Sequence, residues 1–178
     1  MEIVKANLSH LKVFEQYVEK CAQAGMEMYI AAQSDSEALL KKRIGYANGE
    51  GLPEGWTPSA TYFCIEDGVI LGSIRVREGN NDYLEKVIGH IGYETAPDAQ
   101  GKGIATTMLN WVKLKVIQDT VIVTCDVNNI ASRRVIEKAG GEFLNTFYSE
   151  QDQYEVRRYR LMTELHHVVN IQTLNDKE

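Results

Sequence analysis

"YETAPDAQGKGIATTMLNWV", residues Tyr93 to Val112, joins the end of an apolar strand to the start of an amphipathic helix. Three small residues, Gly101, Gly103 and Ala105, stand where that helix begins. Glycine inside a helix costs roughly 1 kcal/mol against alanine, so two of them at the first turn require a structural reason or a ligand. A helix N-terminus presents unpaired N–H groups and partial positive charge, and it binds phosphate where side chains leave the approach clear. Gly101, Gly103 and Ala105 leave it clear, and Lys102 adds a cation. Tight packing of strand against helix accounts for one glycine; two, with a lysine between them, point to phosphate. A nucleotide-hydrolysing P-loop would need GxxxxGK followed by Ser or Thr, which this stretch lacks. A dinucleotide fingerprint would follow the first strand and open a series of parallel β-α-β units, whereas these glycines come after antiparallel strands.

Outward from this stretch, the rest of the chain supplies that antiparallel setting. "EIVKA" (Glu2 to Ala6) reads as a short strand, and Leu8 to Ala24 places Leu11, Phe14, Tyr17, Val18 and Cys21 on one helical face. Ser34, with Glu37 three residues on, has capping-box spacing for a second helix with Ala38, Leu39 and Ile44 on its apolar side. Asn48 to Ser59, rich in Gly and Pro, reads as a loop that Trp56 pins or that lines a pocket. Asp67-Gly68 between two apolar runs is a strong hairpin signal. "VIGHIGYET" predicts another strand, with Gly89 and Gly92 at bulges or close approaches. The helix from about Lys102 to Ile117 turns Ala105, Met108, Leu109, Val112 and Val116 inward. "TVIVTCDV", apolar on both faces, reads as a central strand that completes a β-α-β crossover. A shorter helix, about Ala131 to Ala139, is stopped by Gly140-Gly141, and "EFLNTFYS" with "QYEVRRYRLM" predicts a final hairpin.

The bulk properties narrow the function classes. A chain of 178 residues fits one domain, with 44% apolar and 25% charged residues. A single domain over residues 1–163 is expected, followed by a tail at 164–178 whose His166-His167 pair reads as structural or disordered. No apolar run is long enough to span a bilayer and the N-terminus carries no signal pattern, so no membrane partner and a cytoplasmic location are expected. Cys21, Cys64 and Cys125, widely spaced among apolar neighbours, read as buried reduced thiols, and no metal site is expected. A net charge of −6 argues against nucleic acid as partner. From Gly101 to Lys138 the balance reverses, with six cations (Lys102, Lys113, Lys115, Arg133, Arg134, Lys138) against three acids (Asp119, Asp126, Glu137). That reversal fits either a small anionic ligand or an ordinary solvated helix face.

Gln100-Gly101-Lys102-Gly103-Ile104-Ala105 resembles the Q/R-x-x-G-x-G/A signature of the GNAT superfamily of acyl-CoA-dependent N-acetyltransferases, and "CDVNNIASRRVIEKAGGEF" resembles its second hallmark. "GHIGYE" and "RRYRL" resemble a bacterial branch of predicted acetyltransferases. The resemblance implies an α/β fold of three layers (α+β in some schemes). Its central sheet would be mixed and mostly antiparallel, of about seven strands, splayed between the strands at about 87–95 and 120–127. It implies that acetyl-CoA is the co-substrate and that its pyrophosphate rests on the amides of Gln100 to Ala105. Its pantetheine would pair with the strand at Tyr93, Glu94 and Thr95 and meet Asn129 and Ser132, with Arg133 or Lys138 near phosphate. Asn129 is equally a good helix N-cap.

The implied reaction is direct attack of an amine on the thioester in a ternary complex. An ammonium with a pKa near about 10 must first lose a proton. Where many relatives carry a Tyr acid this sequence has Ile136, and where some carry a Glu base it has Thr124; neither can play that role. His90 and Glu94 are the nearest candidates for base, with a buried structural role as the other reading of His90, and Ser132, Tyr148 or Tyr154 for a proton relay to sulfur. The acceptor is expected to be a small-molecule or peptide amine, in a site that includes Met26, Met28 and Tyr29. The acid balance of the chain favours a cationic acceptor. The enzyme would be a monomer or homodimer. A coenzyme A sensor without transferase activity is the competing reading, motivated by the missing Tyr and Glu.

Overall fold

In the computed structural model, which describes residues 1–163, the chain divides into two compact units. The first comprises Met1–Asn80 and Gly92–Met108; the second comprises Asn81–Ile91 and the described chain from Leu109 onward. The tail and its His166-His167 pair lie outside the described residues.

The first unit is a three-stranded antiparallel ladder with helices. Strand β1 (Glu2–Lys5) pairs with β2 (Ser59–Glu66), and β2 with β3 (Val69–Arg77). The turn between β2 and β3 has positive φ at both Asp67 (50°) and Gly68 (73°), the geometry for which Asp-Gly is suited. Helix α1 (Leu11–Gln23) buries Phe14, Tyr17, Val18 and Cys21, the predicted face, and Phe14 stacks on Phe63 of β2 at 5.4 Å. Each such large side chain contributes roughly 1.5–3 kcal/mol through burial. A second helix, α2 (Glu27–Ala32), went unseen in the sequence because six residues are too few to show a period. Helix α3 (Ser36–Ala47) is capped by Asp35, whose carboxylate accepts from the Ala38 amide at 2.9 Å. The expected Ser34 cap is thereby corrected by one residue: the cap must directly precede the first helical turn. In the predicted loop, half-exposed Trp56 packs edge-on against Tyr46 at 6.0 Å, so it pins the loop.

The second unit begins with a correction. Val87 and Ile88, expected in a strand, belong to a π-helical turn, Leu84–Ile88, closed by the Gly89 amide donating to the Leu84 carbonyl at 2.9 Å. Gly89 has φ 71°, and a Cβ there would lie 2.9 Å from the Thr124 nitrogen, so the predicted close approach is real. Strand β4 (Ile91–Thr95) starts after it, with Ile91 in this unit and Gly92–Thr95 in the first, and its parallel pairing to β5 (Val121–Asp126) is at Ile91 and Val123. Helix α4 (Ile104–Lys115) starts two residues later than expected; it buries Ile104, Met108, Leu109 and Val112, and leaves Ala105 half-buried. Helix α5 (Ile130–Lys138) ends in a double C-terminal cap. Gly140, at φ 89°, donates to the Glu137 carbonyl and Gly141 to that of Ile136. Strands β6 (Glu142–Ser149) and β7 (Tyr154–Leu161) form the final hairpin, and β7 pairs antiparallel with β5.

The hydrogen-bonded order of the seven strands is β1-β2-β3-β4-β5-β7-β6. It is the mixed, mostly antiparallel sheet that the family resemblance implies. Cys21, Cys64 and Cys125 are all buried and unpaired by disulfides. Among the described residues no helix is long and apolar enough to cross a membrane, and no group of three or more His, Cys, Asp or Glu is placed to hold a metal ion.

Candidate active site

In the first unit the chain leaves β4 through a one-turn helix, Pro97–Ala99, and reaches α4 by way of Gln100, Gly101, Lys102 and Gly103, all exposed. Gly101 and Gly103 have φ of 74° and 79°, in the left-handed region that side-chain-bearing residues avoid. Beyond the adjoining residues, no atom of the described residues lies within 4 Å of where a Cβ would stand on either glycine. The two glycines therefore have a backbone cause, and the space above them is also open. Ile104, buried, ties the helix start down, and the first i−4 bond runs from the Thr107 amide to the Gly103 carbonyl at 2.9 Å. The amides of Gly103, Ile104, Ala105 and Thr106 thus have no partner within the helix. This turn fits an anion such as a diphosphate.

One strand-length upstream stands a buried polar cluster. Glu94 on β4 accepts from the Tyr29 hydroxyl at 2.5 Å and from Arg75 Nη2 at 3.2 Å. Arg43 Nη2 donates to the Tyr29 oxygen at 3.0 Å and lies 3.6 Å from the Glu94 carboxylate. Side-chain exposures are 4% for Arg43, 13% for Glu94 and 26% for Arg75. Burial by itself would raise the Glu94 pKa, but Arg75, Arg43 and the Tyr29 hydrogen bond outweigh it and hold the carboxyl below the usual range. Burial pushes the Tyr17 and Tyr29 phenols up, beyond any physiological titration, and the Cys21 thiol to about 11. Glu94 is therefore ionised, and its neighbours other than the arginines are neutral. The sequence hid this cluster: Arg43 looks like a solvated helix residue and Arg75 like the outer face of a strand, and no spacing rule joins them to Glu94 or Tyr29. Tyr93 and Thr95, half-buried, flank Glu94 on β4.

His90, Asn129, Ser132 and Arg133 belong to the second unit. His90 exchanges hydrogen bonds with Ile122: its own amide donates to the Ile122 carbonyl at 2.7 Å, and the Ile122 amide donates to Nδ1 at 3.1 Å. Nδ1 also lies 3.3 Å from the Ile122 carbonyl, so it accepts from the amide in one tautomer and donates to the carbonyl in the other. Asn129 caps α5, its side-chain oxygen accepting from the Ser132 amide at 2.9 Å. Arg133 pairs with Glu137 one turn on at 2.9 Å. Ile136 is fully buried core, and the Thr124 hydroxyl donates to the Val87 carbonyl at 2.8 Å, so each has a packing or hydrogen-bonding role.

Residues 10–142 match the sequence profile of the Acetyltransferase (GNAT) domain. The chain belongs to the GNAT family, and so to the acetyl-CoA-dependent N-acetyltransferases. Among solved structures, the ribosomal L7/L12 alpha-N-protein acetyltransferase RimL, in complex with coenzyme A, is 16% identical, with a TM-score of 0.66 over 90% of this chain and 93% of that one. The microcin C7 self-immunity acetyltransferase MccE, in complex with acetyl-CoA and AMP, is also 16% identical, with a TM-score of 0.65 over 90% and 92%. RimJ of Mycobacterium smegmatis, in complex with a coenzyme A disulfide, is 14% identical, with a TM-score of 0.66 over 91% and 81%. At such identities the likeness shows the shared fold. No curated protein sequence matches the chain.

Proposed function

We propose that this enzyme transfers the acetyl group of acetyl-CoA to a primary amine of a small molecule or a peptide, by direct attack in a ternary complex. The observation that carries the cofactor site is the turn at Gly101 and Gly103. Its two left-handed glycines, open space and helix amides without an intrahelical partner form a cradle for the pyrophosphate. Gln100 to Ala105 hold the phosphates, with Lys102 as a nearby cation, and the backbone of Tyr93 to Thr95 takes the pantetheine arm. Asn129, Ser132 and Arg133 keep the roles that the family resemblance assigns them toward that arm and its phosphates. RimL and MccE, as named above, were seen with coenzyme A and acetyl-CoA, which supports the same co-substrate here.

Acetyl-CoA supplies the activated thioester. The chain's own contribution is to hold it and to orient the amine, whose proton passes to solvent water. Glu94, ionised and held by two guanidinium groups, is a weak base, so we assign it the electrostatic task of orienting the amine N–H groups. In the tautomer whose Nδ1 accepts from the Ile122 amide, His90 takes up a proton there only by giving up that hydrogen bond. Ser132 is left as the candidate relay to the leaving sulfur, whose thiol pKa of roughly 8.5 demands little help.

Gly103→Glu tests the cradle. It fills and charges the space above the turn and forces a side chain into φ 79°, at a cost of about 1–2 kcal/mol in stability. Calorimetry should show acetyl-CoA binding to the wild type and none to the variant, and equal affinity would refute the site. Amine-dependent thiol release from acetyl-CoA then separates the enzyme from a coenzyme A sensor, which would bind without turnover across the panel.

A further inference from the structure

The cluster around Glu94 is one negative charge short. One carboxylate faces two guanidinium groups, Arg43 at 3.6 Å and Arg75 at 3.2 Å, and all three are largely withdrawn from water. The remaining titratable neighbours do not close the gap, since Tyr17, Tyr29 and Cys21 are all held in their neutral forms. Two guanidinium nitrogens, Arg43 Nη1 and Arg75 Nε, are buried with no partner among the described residues. Water can satisfy a hydrogen bond there, but it does not supply the missing charge, and a surplus charge in a low-dielectric site is costly until an anion joins it. Arg75 is the member of the cluster most open to solvent. Beside it on the same face of β3 stands Arg77, whose guanidinium lies 3.3 Å from where a Gly92 Cβ would be, so Gly92 leaves room for that cation.

We propose that Arg75 is a specificity residue that receives a carboxylate carried by the acceptor, so that the preferred amine is an amino acid or a peptide N-terminus with an acidic side chain close by. The inference rests on the transfer reaction proposed above. It reverses, for this site, the preference that the overall charge of −6 implies, because a buried local charge acts at contact distance whereas the net charge is screened over about 10 Å. Carboxylate and guanidinium match in a two-pronged geometry that an amide cannot reproduce.

The test uses two matched pairs of acceptors with acetyl-CoA: L-alanine against L-alaninamide, and Ala-Glu-Ala-amide against Ala-Gln-Ala-amide. We expect the carboxylate member of at least one pair to be favoured in kcat/KM by about tenfold or more, mainly through KM. The pair that discriminates tells a free amino acid from an acidic peptide. Arg75→Gln should bring that ratio toward one, while Arg75→Lys, which keeps the charge, should retain part of it; a purely structural role would lower both members equally. If none of the four amines is turned over, the same four are compared as thermal stabilisers of the coenzyme A-bound enzyme, with the same expected ratio and the same variant. Should Arg75→Gln not fold, the wild-type ratio decides, since the lower amine pKa of alaninamide works against the expected result. Equal use of both members, or a ratio unmoved by Arg75→Gln, overturns the inference. Acetyl-CoA affinity, measured separately, is unaffected by that failure and reports on the proposed function alone.

Discussion

Tyr29→Phe isolates what one hydroxyl does in the Glu94 cluster. The ring is fully buried and meets Tyr17 edge-on at 5.4 Å, so phenylalanine preserves the apolar packing. What is lost is a donor to Glu94 at 2.5 Å and an acceptor from Arg43 at 3.0 Å. Hydrogen bonds to charged groups are worth about 1.5–3 kcal/mol each. Arg43 already lies 3.6 Å from Glu94 and can close on it, recovering part of the loss. The expected net cost is therefore about 2–3 kcal/mol, seen in urea unfolding at pH 7 with an unchanged m-value and as a fall of about 4–12 °C in Tm. The pH dependence has a definite sign. Because the folded Glu94 carboxyl is held below the usual range, its stabilisation is complete above the unfolded pKa of about 4.3 and is lost as pH falls through the lower folded value. Removing the Tyr29 donor lets the folded value rise, so the gap between wild type and variant should be full at pH 7 and shrink on acidification below about pH 4. A cost under about 0.5 kcal/mol at pH 7, the range of ordinary surface substitutions, would refute the reasoning.

Three further outcomes follow from named contacts. His90→Ala should keep the neutral-range pH profile of turnover and lose about 1 kcal/mol of stability as the Ile122 amide loses its acceptor; a flattened profile would instead make His90 the base. Gly72→Ala would place a Cβ 2.8 Å from the Met108 methyl and 2.9 Å from the Glu94 carbonyl oxygen. The methyl can move but the backbone oxygen cannot, so chemical denaturation should show a loss of about 1–3 kcal/mol. The three buried thiols should label slowly with a disulfide reagent in the native state and fully in denaturant, and a fast native phase would contradict their burial.

The local features legible in the sequence are those whose cause is local. Asp67-Gly68 makes its turn because both residues need positive φ, and Phe14, Tyr17, Val18 and Cys21 lie on one face because the helix repeats every 3.6 residues. The left-handed glycine turn before α4 is readable for the same reason, since its glycines and helix start sit within six residues. Asn129 was readable as a cap because capping reaches only three residues along the chain. Features fixed by packing gave weaker signals. The π-helical turn at Leu84–Ile88 occupies part of a run whose composition suits a strand, and α2 is shorter than any period can reveal.

The order of residues thus settled the fold family, the hairpins and the glycine turn before α4, because backbone conformation and side-chain periodicity act between near neighbours. Tertiary structure alone decided that Glu94, Tyr29, Arg43 and Arg75, drawn from two strands and two helices, share one buried cluster. Charge pairing at contact distance depends on position in space, and the 65-residue separation of Tyr29 and Glu94 carries no trace of it.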